Sequence, residues 1–246
     1  MTYYRSANRT QPITNNDQLK ESYDFVFDET KKRGSFDPSL QMYSAELFDR
    51  CSSGNLVPKK LRVDALVLGL KFSEGLRKFA LEVQGKLDLF LATQDRYWVM
   101  PENLASEILV LKWPDTDNLC YDPIEVMNYL NELKLHRFYL HINGAQVHSD
   151  GAVILRGYDN GFVRSLRQRL HERFPHLPAK QSQWVHIPLG RIVSQVASSK
   201  FGKMIEYLDE FNAEKNFNEE IIDIKLVQEY RWYMTEKEVL FVSKLI

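Results

Sequence analysis

Cysteine is scarce in this chain of 246 residues, and its two cysteines, Cys51 and Cys120, stand far apart in no metal-ligand spacing. They read as ordinary reduced thiols, which excludes a disulfide framework and gives no zinc site. The opening residues, Met1 to Arg9, contain no apolar stretch of the kind a secretory leader carries. No run approaches the length of a membrane span. Neither sign of charge is in excess: 32 basic residues face 33 acidic ones, for a formal net charge of −1. A strong non-specific nucleic-acid binder would need a basic surplus. Gly69 and Gly75 form no phosphate-cradling loop, and no P-loop or zinc motif is present. These absences lead to the expectation of a cytoplasmic protein with no cofactor, no metal and no membrane partner.

What is present is the composition of an ordinary globular protein: 44% hydrophobic, 12% aromatic and 26% charged. The length suits one large domain or two small ones. The most informative stretch is 181–192, Gln-Ser-Gln-Trp-Val-His-Ile-Pro-Leu-Gly-Arg-Ile. Its alternation predicts a strand with Val185, Ile187 and Leu189 on one face and Trp184, His186 and Pro188 on the other. That pattern presents His186 away from the core.

Along the chain, residues 1–17 read as a polar arm. Helices are predicted over 18–32 and, opened by Asp37-Pro38, over a short stretch carrying Leu40, Tyr43, Leu47 and Phe48. Both have apolar stripes, so residues 1–60 are expected to pack on a main body spanning 61–246. There the reading is a buried strand over 63–70, a helix capped by Ser73 and running to Lys86, and strands over 87–92, 96–99 and 104–112. A helix opens at Asp122-Pro123. Strands follow over 138–142, ending at an Asn143-Gly144 turn, and over 152–158. A helix after Asp159-Asn160-Gly161, the 181–192 strand, a helix over 199–212 and strands over 221–233 and 238–242 complete the order. This is not strict strand–helix alternation. An α+β fold fits better: two similar lobes of mostly antiparallel sheet, with outer helices, around a central groove.

Several of these stretches, in this order, resemble the two-histidine (2H) phosphoesterase superfamily, which includes RNA 2′,3′-cyclic phosphodiesterases and 2′-5′ RNA ligase-like proteins. Residues 63–70 with the Ser73 helix resemble its opening, and Trp98-Val-Met-Pro-Glu-Asn-Leu104 resembles the lead-in to its first His-x-Ser/Thr motif. Phe174-Pro175 and Val185-His-Ile-Pro-Leu-Gly-Arg191 resemble the second, and 226–233 with 239–242 the closing strand pair. The resemblance covers about 61–246. It implies two strands facing each other across the groove, one histidine acting as base and the other as acid. A hydroxyl two residues after each would donate to phosphate. The implied ligand is a nucleotide or RNA end bearing a phosphate.

The motifs depart from that pattern. Ala105 stands at the first histidine position and Glu107 at its hydroxyl position. His186 remains in the second motif, with Pro188 where the hydroxyl belongs. Alanine transfers no proton, and proline offers neither hydroxyl nor N–H. Loss of an acid–base partner removes about 10²–10⁴-fold in rate. The leading expectation is therefore a degenerate site that binds a phosphate end or is non-catalytic. The first alternative is a phosphodiesterase-type hydrolase using an altered His186/Glu107 pair; the second is a protein-interaction scaffold. Candidate ligand-binding residues are Arg191, whose fork suits phosphate, and Lys225, Arg231 and Tyr233, which share a strand face with Glu229. Trp184 is a candidate for stacking a base, alongside Tyr97 and Trp98. His141, or His148, is a candidate replacement for the missing histidine.

Overall fold

The computed structural model describes residues 13–114, 121–179 and 181–246. Cys120, residues 115–118 of the expected loop and the first twelve residues of the arm lie outside the described residues.

The N-terminal region begins with α1 (Asn16–Arg33). The Asn15 side chain caps it by accepting from Gln18 N, and Gly34 closes it at φ +70°. In α2 (Pro38–Ala45), Asp37 caps the N–H groups of Ser39 and Leu40, and Pro38 sits at the first position. A short hairpin of β1 (Phe48–Arg50) and β2 (Leu56–Pro58) follows. Next come β3 (Lys60–Gly69), α3 (Glu74–Asp88, capped by Ser73), β4 (Arg96–Trp98) and β5 (Ala105–Lys112). The chain continues through α4 (Pro123–Glu132), β6 (Phe138–Val147), β7 (Ala152–Tyr158) and α5 (Phe162–Arg173). It ends with β8 (Ile187–Ile192), α6 (Ser198–Glu214), β9 (Asn216–Ile221), β10 (Asp223–Arg231) and β11 (Glu236–Lys244).

Two antiparallel sheets carry the lobes. One has the order β11-β10-β3-β5, the other β4-β8-β7-β6-β9. This is the α+β class that the sequence suggests. In each sheet the period-2 pattern divides the side chains. Leu66, Leu68, Leu109 and Leu226 of the first sheet and Leu140, Ile142, Val153, Leu155, Ile187 and Leu189 of the second join the helices in one large core. The opposite face of the first sheet is also apolar, with Val63, Ala65, Val67, Ala105, Val110 and Val227. On the opposite face of the second, Ile154, Tyr158 and Trp184 pack against Leu19 and Tyr23 of α1. Each valine, leucine or isoleucine among them contributes roughly 1.5–3 kcal/mol when fully buried.

Four expectations for local structure are corrected. Residues 87–92 are not a strand: α3 runs to Asp88, because Leu87 extends the stripe of Leu76, Phe79, Ala80 and Val83 at helical spacing. Asn143-Gly144 does not end β6. Gly144, at φ +85°, forms a bulge inside the strand, and Asn212 Oδ1 accepts from Ala145 N at 2.7 Å. A Cβ at Gly144 would lie 2.3 Å from that Oδ1. Residues 221–233 are not one strand. The chain changes sheets at Ile222, and the core-facing phase shifts by one residue there, from Ile221 in β9 to Ile224 and Leu226 in β10. Lastly, only residues 187–192 of the 181–192 stretch are strand. The side chain of Gln181 instead pairs with both the N–H and the C=O of Val110, at 2.8 and 2.9 Å, and occupies the edge of β5 as a strand would.

Candidate functional site

The two stretches that carry the motif resemblance come together at an arginine. Arg167 projects inward from α5 and is buried. Its Nη2 donates to Glu107 O at 3.0 Å and to Trp184 O at 2.9 Å, and its Nε donates to Ile108 O at 2.5 Å. Glu107 and His186 are thus tied, through main-chain atoms at or near them, to one guanidinium. The sequence analysis missed Arg167. Its signal is an arginine four residues after Val163 and three before Leu170, on the apolar stripe of the helix.

Glu107 faces the same side of the first sheet as Val67, its partner on β3, and is partly buried. Burial pushes its carboxyl up to about 7, with Arg167 pulling the other way. Glu229 is buried on the same face, two residues beyond Val227 on β10. Burial pushes it up to about 8 against the opposing bond from Met234 N, and the nearby Glu107 charge adds to the rise. Two carboxyls that burial pushes up toward neutral pH therefore lie on a face otherwise made of aliphatic side chains and Lys225.

His186 is buried, edge-on to Trp184, with ring centroids 6.0 Å apart. Burial pushes it down to about 3, and His148, Arg167 and Arg191 push the same way. His148 meets the same indole at 5.3 Å, and burial lowers it to about 4. Both imidazoles are neutral at pH 7. Their face of the second sheet carries α1: Trp184 Nε1 donates to Ser22 Oγ at 3.0 Å, and the Tyr23 ring packs on Trp184 at 4.7 Å. Tyr23 OH reaches Gly157 O at 3.4 Å, and Arg156 Nη1 donates to Asp24 Oδ1 at 2.9 Å.

The other residues singled out in the sequence are placed as follows. Arg191 is buried. It donates to Tyr233 OH at 2.9 Å, Asp150 Oδ2 at 2.9 Å and Ser44 Oγ at 2.5 Å. Burial alone would raise the Asp150 carboxyl, but Arg191 and His148 hold it below the usual range. Tyr233, at φ +63°, also packs against Phe48 and Tyr97, which touch each other as well. Lys225 is buried, donating to Gly69 O at 2.8 Å and to Asp223. Arg231 donates to Glu236 Oε1 at 2.8 Å and Pro58 O at 2.6 Å. His141 pairs with Asn218 at 2.7 Å across β6 and β9, away from the Arg167 junction. The structure thus unites Arg191 with Tyr233 and Trp184 with His186, and sets Lys225 in one row with Val67 and Glu107 across β10, β3 and β5, while Arg231 and His141 lie elsewhere. Among the described residues, no group of three or more His, Cys, Asp or Glu side chains is placed to hold a metal ion. Among them, too, no helix is long and apolar enough to cross a membrane.

No family model matches the sequence. No curated protein matches it either. Solved structures do match the fold. TT0787 of Thermus thermophilus aligns with a TM-score of 0.51 at 16% identity, over 74% of this chain and 97% of its own. E. coli LigT in its apo form aligns with a TM-score of 0.51 at 12% identity, over 76% of this chain and 99% of its own. The chain shares the fold of TT0787 and LigT. At these identities the likeness is one of architecture, and the chemistry has to be argued from the residues. The positions that the motif resemblance singles out are Ala105 and Glu107 at the start of β5, and His186 and Pro188 on either side of Ile187, the first residue of β8. That set offers one imidazole and one carboxyl for proton transfer, and no side-chain hydroxyl for phosphate.

Proposed function

We propose that this chain is a 2H-fold protein that no longer runs two-histidine phosphodiester hydrolysis and acts as a non-catalytic binding scaffold. One observation carries the reading: the second-lobe face that holds His186 is packed under α1 through Trp184, Ser22 and Tyr23. The cations the sequence offered for a phosphate are also engaged internally. Arg191 holds Asp150, Ser44 and Tyr233; Lys225 holds Asp223 and Gly69 O; Arg231 holds Glu236 and Pro58 O. A phosphate end bound at any of them would have to displace a carboxylate, which costs more for the buried Arg191 and Lys225 than for the partly exposed Arg231. This favours a scaffold over a nucleotide or RNA-end binder. The test is a binding and turnover screen with 2′,3′-cyclic and 3′-phosphate RNA ends and cyclic nucleotides. The expected result is no turnover and no saturable binding at micromolar ligand. Saturable binding that is lost in Arg191→Gln would restore the ligand-binding reading.

A second reading has one observation in its favour. A carboxyl near 7, as at Glu107, is matched to acid–base work at neutral pH. In that reading Glu107 would work opposite His186 on an ester, and turnover would be lost in both Glu107→Gln and His186→Ala.

A further inference from the structure

We propose that β11 is a self-association surface through which two copies of this chain join their four-stranded sheets into one continuous antiparallel sheet. The proposal is independent of whether the site turns over. Among the described residues, β11 has β10 on one side and no strand on the other. An edge strand presents a row of N–H and C=O groups that templates another strand, so natural edges are short, charged or covered. This edge is nine residues long and carries Val239, Leu240, Phe241 and Val242 in succession. Val239 is 42% exposed, Phe241 37% and Val242 46%. Val239 and Val242 pair with Val227 and Lys225 on one face, while Phe241 pairs with Leu226 on the other. Apolar surface is therefore open on both sides of the edge.

The charges of the strand select its partner. Glu236 and Glu238 stand at its start, and at its end stands Lys244, bonded to Asp223 Oδ2 at 2.9 Å yet with its side chain 69% exposed. Antiparallel pairing of the strand with a second copy about an axis at Phe241 sets Glu238 against Lys244, Leu240 against Val242, and Phe241 against its own copy. Parallel pairing in register would set like charges together. Lys237, the basic residue that could guard the edge, is turned back to Asn103 Oδ1 at 2.6 Å and Met234 O at 3.0 Å. The bulge at Leu240, where the register with β10 shifts, shortens the matched stretch. A single-strand junction is small beside the ~1,600 Å² of a standard interface, so micromolar association is expected. Such an interface is isologous and closes as a two-fold dimer.

Light-scattering mass measured from about 1 to 100 µM spans that range. The wild-type mass should rise to twice the monomer value. Phe241→Lys and Lys244→Glu should each stay monomeric throughout, with unchanged circular dichroism. The double variant Glu238→Lys/Lys244→Glu should regain the dimer, because the exchange restores opposite charges. Wild-type protein that is monomeric at the highest concentration would overturn the proposal. So would a double swap no more associated than the Lys244→Glu single variant.

Discussion

Trp184 and Ser22 are joined by an indole N–H to hydroxyl bond of 3.0 Å across 162 residues of sequence. Two residues from His186, this bond fastens the N-terminal helix to the segment that leads into β8. Tyr23, beside Ser22, is fully buried against Trp184 and Tyr158. The helix is therefore part of the packing of the second lobe.

Tyr23→Ala should lower stability by about 3–5 kcal/mol, as for a large buried aromatic. Tyr23→Phe should cost only about 1 kcal/mol, since it removes one hydrogen bond and keeps the ring. Urea unfolding measures both. A Tyr23→Ala midpoint equal to wild type would show that α1 is not part of this packing.

Arg167 supplies three donors to the carbonyls of Glu107, Ile108 and Trp184. Arg167→Met should cost about 3–5 kcal/mol, because it leaves those acceptors inside the core without their donor. Arg167→Lys should recover only part, since an ammonium lacks the planar fork. Hydrogen exchange at residues 185–189 should speed up more than in the rest of the core. Uniform acceleration would mean that Arg167 does not specifically hold the two motif stretches together.

The buried titrating groups give stability a pH dependence with opposing limbs. Glu107 and Glu229 are raised to about 7 and 8, so the folded state keeps protons that the unfolded state releases. Their contribution is full below the unfolded carboxyl value and is lost as pH rises through 7 and 8. His186 and His148 are depressed to about 3 and 4, so the unfolded state takes up protons first, and stability falls as pH drops below the unfolded imidazole value. From these four groups, stability peaks between about pH 5 and 6. Glu229→Gln should flatten the alkaline limb and His148→Gln the acid limb. Chemical denaturation across pH checks both, and an alkaline limb unchanged by Glu229→Gln would contradict the burial of that carboxyl.

The fold was legible where local and tertiary preferences agree. Ser73, Asp37 and Asp122 cap helices as their sequence context indicates, and the strand read over residues 152–158 is β7. Legibility failed where one pattern serves two structures. Residues 87–92 alternate like a strand but complete a helical stripe. At Ile222 the chain switches sheets with only a one-residue shift in its apolar phase, because Ile221 on one side and Ile224 and Leu226 on the other face one core. In the candidate site, the residue types were readable, including the carboxyl at Glu107 and the imidazole at His186. The partners of Arg191 were not, because Ser44, Asp150 and Tyr233 lie 147, 41 and 42 residues away. No local spacing encodes such contacts, and the same holds for α1 over Trp184.

The central claim is that His186 no longer performs two-histidine chemistry. The direct measurement is release of phosphate monoester from a 2′,3′-cyclic phosphate RNA end at pH 7, comparing wild type with His186→Ala. The expected result is the same background rate for both proteins. A wild-type rate well above background that His186→Ala abolishes would contradict it.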